Sequence, residues 1–85
     1  DEERSIITTH LPDVDREVLD YVAAFLRAAH LADLRYSVRD GINVARYAMK
    51  RLHRGEESGP AAAFETALIL AVGADEAEPF LTTLL

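Results

Sequence analysis

The sequence predicts an all-α fold, a small bundle of four to five short helices forming one domain over residues 1–85. Three observations carry this expectation. Apolar residues recur at three- and four-residue spacing along most of the chain. No stretch alternates apolar and polar residues for long, and no Asn-Gly or Asp-Gly hairpin turn sits between β-branched runs. Helix punctuation falls where the periodic segments start and stop: Asp or Ser before them, Pro at a first turn, Gly after them.

The first segment is brief. Asp1-Glu2-Glu3 places acids where a helix N-terminus favours them, Ile6-Ile7 supplies an apolar pair, and Pro12 limits continuation. The second is the clearest. Val14, Val18, Leu19, Val22, Phe25, Leu26 and Ala29 repeat with helical period behind Asp13 or Asp15 as cap, so a helix is expected from about Asp15 to His30. Its other face, with Arg16, Glu17, Asp20 and Arg27, reads as solvated surface.

The third segment opens on Ser37-Val38-Arg39-Asp40, a capping box in which Asp replaces the usual Glu or Gln, with Ser37 as N-cap. Val38, Ile42, Ala45, Ala48, Met49 and Leu52 fall on one side of it, and Gly55 is the expected stop. The fourth starts with Pro60 in its first turn, where a missing N–H costs little, and runs through Phe64, Ala67 and Leu68 to Gly73. A last short turn or helix carries Phe80, Leu81, Leu84 and Leu85, with Pro79 expected near its start.

Composition narrows the class. An 85-residue chain that is 49% apolar, with four Gly and three Pro, is enough for one core that buries roughly 60–65% of its unfolded surface. Without cysteine there is neither a disulfide framework nor a thiolate metal site, and a cytoplasmic protein is expected. The longest apolar run, Ala67 to Val72, falls far short of the roughly 20 residues that span a bilayer, so no membrane partner is expected. The chain opens on Asp1 without an initiating Met and stops on an apolar pair, Leu84-Leu85, which reads as a piece excised from a longer protein.

Charge is unevenly distributed. Residues 1–34 carry three bases against eight acids, residues 35–54 carry six bases against Asp40 alone, and residues 55–85 carry six acids and no base, within a net charge of -6. Arg39, Arg46, Lys50 and Arg54 share one side of the third helix, opposite its apolar side. For Lys50 and Arg54 a solvated face suffices. Arg39 differs because it sits in the first turn, where the helix macrodipole disfavours a cation by about 0.3–1 kcal/mol. A guanidinium at that position makes physical sense if it reaches outward to a phosphate or carboxylate, in a charge-assisted and bidentate contact.

Tyr36-Ser37-Val38-Arg39-Asp40-Gly41-Ile42-Asn43-Val44-Ala45-Arg46-Tyr47-Ala48 resembles the second-sensor helix in the C-terminal lid subdomain of AAA+ ATPases, particularly the MoxR-like branch, where a Ser-x-Arg step opens the helix. Glu3 to Ile7 followed by Leu11 to Asp15 looks like the opening helix and turn of such a lid, and Phe64 to Gly73 like its closing helix. The resemblance covers nearly the whole chain, but only Ser37-Val38-Arg39 is specific beyond generic apolar helix. It implies a lid that closes over ATP held by a separate α/β subdomain of the same parent chain, which also supplies Mg. Arg39 would be the catalytic sensor arginine, with Ser37 and Arg46 beside it at the cofactor. It further implies a ring homo-oligomer that remodels a protein substrate or cofactor protein, in a chaperone-like role. The chain departs from the full family pattern in having no Gly-x-x-x-x-Gly-Lys-Ser/Thr loop and no acidic metal-binding strand, so neither a bound cofactor nor ATP hydrolysis is expected of this segment alone.

Three other readings compete with this one. A helical interaction module docking an acidic partner on the basic stripe explains the charge segregation but not the Ser-x-Arg opening. Groove reading by Asn43, Arg46 and Lys50 is disfavoured by the acidic flanks and a sequence pI of about 4.9, so no nucleic-acid partner is expected. His10, His30 and His53 lie on separate segments without paired-ligand spacing, and no Ser occupies a nucleophile-elbow context, so a metal or self-contained catalytic site is not expected. Gly41 suits close helix packing, and Tyr36 and Tyr47 read as boundary residues between core and water.

Overall fold

The structure is a computed structural model that describes residues 2–85, so Asp1, expected among the acids of the first turn, lies outside the described residues. Five helices follow one another: α1 (Glu2–His10), α2 (Arg16–Leu31), α3 (Val38–His53), α4 (Pro60–Val72) and α5 (Ala74–Leu84). No strand occurs among the described residues.

The caps lie where local chemistry places them. Asp15 accepts from the N–H groups of Glu17 and Val18 and starts α2. The helix expected from about Asp15 to His30 runs from Arg16 to Leu31 behind that cap. Ser37 and Asp40 close a reciprocal capping box at the start of α3, which ends at Arg54 before Gly55 turns the chain with φ +69. Gly59 and Pro60 start α4. Gly73, at φ +91, ends α4 and begins α5, a conformation that side chains other than hydrogen rarely adopt.

Pro79 departs from expectation: it lies inside α5, not near its start. The ladder bond it removes would have gone to the carbonyl of Asp75, an exposed residue to which water has access. Ala77 and Phe80 on either side of the proline are buried, so packing on the core holds the helix through the gap.

The core joins Ile7 of α1, Val18, Val22, Phe25 and Leu26 of α2, Val44 and Ala45 of α3, Phe64 and Leu68 of α4, and Phe80 of α5. Tyr21 stacks on Phe64 with ring centroids 5.2 Å apart, fastening α2 to α4. On α3 the fully buried arc is Gly41, Ile42, Val44, Ala45 and Ala48, while Val38, Met49 and Leu52 are only half-buried. Small residues therefore face the closest neighbours and larger apolar ones line the margins. A Cβ at Gly41 would stand 2.7 Å from Leu26 Cδ1, so the absence of a side chain there is what lets α3 approach α2.

Candidate functional site

An open groove of about 500 Å³ runs between α1 and α3. Ile6, Val38 and Ile42 supply apolar lining, and His10, Arg39, Asn43 and Arg46 supply polar groups. The groove thus brings together two of the three predicted site residues. Ser37 is the third and does not line it. Its hydroxyl accepts from the Asp40 N–H at 3.4 Å, and its own N–H donates to Asp40 Oδ2 at 2.8 Å.

That cap has an electrostatic consequence for Arg39. Asp40 is the nearest acid in sequence, yet its carboxylate is turned onto the Ser37 N–H and hydroxyl. Arg39 is exposed and forms no ion pair with a described residue, and the same is true of Arg46, Lys50 and Arg54. Two guanidinium groups without counter-charges, one of them in a helix first turn, can receive a polyanion by bidentate charge-assisted hydrogen bonds. The apolar lining beside them suits a planar or aliphatic portion of the same ligand. His10 is tied to its own helix, Nδ1 donating to the Ile6 carbonyl at 3.0 Å.

Arg51 behaves differently from the other cations of α3. Its Nε donates to Glu57 Oε2 at 2.5 Å, its Nη1 lies 3.9 Å from Glu56, and its guanidinium sits over the Tyr47 ring. The Arg51 contact, with a second hydrogen bond from Thr66, holds the Glu57 carboxyl below its ordinary value. The loop acids are thereby used locally, to bind the α3–α4 connection back onto α3, and they leave the Arg39 end unneutralised.

Tyr36, read from sequence as a boundary residue, has a larger role. Its ring packs on Phe25 and Phe80, with centroids 5.4 and 6.3 Å away, and its hydroxyl donates to Glu76 of α5. Chiefly because of that hydrogen bond, and then by burial, the phenol is pushed up from 10.0 to about 12. The raised value means that the fold favours the neutral phenol. The corresponding stability is fully present below pH 10 and is lost as pH rises through about 12. A tyrosinate absorbance titration of the wild type against Tyr36→Phe should isolate this step near pH 12, and Glu76→Gln should move it back toward 10. A wild-type step already at 10 would contradict the hydrogen bond.

No family model, no curated protein and no solved structure matches the chain. Among the described residues no cluster of His, Asp or Glu could hold a metal ion, and no helix is long and apolar enough to cross a membrane.

Proposed function

We propose that this chain is the helical lid of an AAA+ ATPase of the MoxR-like branch, closing over ATP bound by a separate α/β subdomain. The reading joins the Ser37-Val38-Arg39 step of the sequence to one structural observation: Arg39 projects from a rigidly capped first turn, unpaired among the described residues, into a groove it shares with Arg46. ATP supplies the phosphoanhydride bond and its companion Mg comes with the α/β subdomain. This chain's own residues bind and orient. Arg39 meets the charge on the terminal phosphates, Arg46 extends the positive field along the groove, and the Ser37–Asp40 box keeps the turn from fraying. Ser37 serves the site through that cap.

Nothing in this arrangement moves a proton, so the contribution of Arg39 is electrostatic and sensory: closure is favoured while the phosphates are present and relaxes once they leave. Lys50 and Arg54 continue the positive stripe beyond the groove and fit contact with the α/β subdomain or with the adjoining subunit of a cytoplasmic ring that remodels a protein substrate. Docking of an acidic partner on the stripe without nucleotide is the second reading, favoured by those same two cations. It predicts binding that weakens steadily with salt and is indifferent to ATP.

In an ATPase carrying this lid, Arg39→Ala is expected to lower ATP turnover about 100-fold or more, the scale seen when a single transition-state donor is removed. Helical content should be unchanged because the side chain is exposed. Turnover within a factor of two of wild type would refute the assignment.

A further inference from the structure

We infer that Tyr36 is a positioning residue through which helix α5 controls the turn that carries Arg39. The inference rests on the lid reading for its functional meaning, but the coupling itself is built from contacts independent of nucleotide. Among the described residues α5 packs on α2 and α4 and not on α3. Any influence of α5 on the start of α3 therefore has to pass through an intermediary. Tyr36 is such a link: it lies one residue before the Ser37 cap, touches Phe80 with its ring and Glu76 with its hydroxyl.

Its backbone is held as well. The Tyr36 carbonyl accepts from His30 Nε2 at 3.1 Å, and the other ring nitrogen of His30 lies 3.5 Å from Glu3 of α1. One residue is thus fastened to α2 and α5 directly and to α1 through His30, immediately ahead of the Ser37–Asp40 box. A shift of α5 would pull on the phenol, and the capped turn would carry that shift to Arg39 three residues on.

Helix α5 is placed to be pulled. It covers the core with Ala77 and Phe80 and leaves Asp75, Glu78, Pro79 and Thr82 exposed. Loss of the Glu76 contact would loosen Tyr36 and misdirect Arg39 without touching the groove.

The test uses this chain, with inorganic triphosphate as the probe and two-dimensional NMR reading both the Arg39 Nε–H and the backbone amides of residues 37–41. Tyr36→Phe keeps the ring and removes the hydroxyl; Glu76→Gln keeps the shape and removes the charge. Each is expected to weaken triphosphate binding about 2- to 10-fold, the net size of one hydrogen bond, and to move the amides of that turn. In an Arg39→Ala background neither should weaken binding further. Wild-type affinity and unmoved amides in both variants would overturn the inference and reduce Tyr36 to packing, while a loss on Arg39→Ala alone would leave the lid reading standing. A wild-type Arg39 signal unmoved by triphosphate accords with a lid that binds no nucleotide by itself, and the lid reading is then decided by the Arg39→Ala turnover. The amide shifts of the two variants then decide the coupling alone, moved in its favour and unmoved against it.

Discussion

Phe25→Ala is expected to bring the chain to the edge of unfolding at room temperature. Phe25 has no exposed surface and stands at the junction of α2 with Tyr36 and α5, its ring 4.9 Å from that of Phe80 in an edge-on arrangement. Truncating a buried phenylalanine costs about 3–5 kcal/mol through lost transfer energy and the cavity left behind. An 85-residue domain has about 4–13 kcal/mol in total at the usual stability per residue. The change therefore removes a large part of the fold's margin, and it also withdraws the support under Tyr36. Urea denaturation followed by circular dichroism checks it: a loss below about 1 kcal/mol would mean that the aromatic junction is not a keystone of the core. Phe25→Leu, which keeps most of the volume, should cost less than about 1.5 kcal/mol.

Gly41→Val should destabilise the chain by about 2–3 kcal/mol, although glycine is itself a poor helix former. A Cβ there meets Leu26 Cδ1 at 2.7 Å, Val22 Cγ1 at 3.2 Å and Leu26 Cγ at 3.3 Å. Both neighbours have no exposed surface, so neither can swing aside into solvent. The gain in helix propensity on leaving glycine, up to about 1 kcal/mol, is outweighed by overpacking. Because Leu26 supplies the shortest of these contacts, Leu26→Ala placed in the Gly41→Val chain should be less damaging than it is alone. Thermal unfolding of the two single variants and the double variant measures that coupling, and strict additivity would show that the clash is absorbed elsewhere.

These two sites also mark how far the sequence could be read. Gly41 was legible as a close-packing position because it interrupts an otherwise helical pattern. Which residues it approaches was not, since Val22 and Leu26 lie on a different helix. Periodicity gives no sign that Val44 is buried and sets the half-buried Met49 and Leu52 with the core side of α3, because it ranks residues by apolarity whereas tight helix packing selects by size. Pro79 lies deeper in α5 than local preference suggests for a similar reason. A helix-interior proline is locally costly, and the compensation comes from Ala77 and Phe80 seated in a core assembled from other helices.

For the candidate site the division is equally physical. Ser37, Asp40 and Arg39 occupy one turn, so the cap and the position of the arginine follow from chemistry reaching only three residues along the chain. Six bases between residues 35 and 54 can be counted, but their separation into a neutralised Arg51 and an Arg39 without an ion pair among the described residues cannot, because it depends on where the α3–α4 loop folds back. Tyr36 gave no stronger signal than its amphipathic character, as its partners Glu76 and Phe80 are some forty residues away.

By itself the sequence determined the all-helical class, the boundaries of α2 to α4 and the presence of a guanidinium at the head of α3, since caps and periodicity act through neighbours within about one turn. The tertiary structure alone decided that Arg39 and Arg46 share a groove with α1, that Arg51 is withdrawn into an ion pair, and that Tyr36, next to the turn that carries Arg39, is tied to α5. Each of these joins residues distant in the chain, and such pairings are set by how the helices pack and not by the local preferences of any one of them.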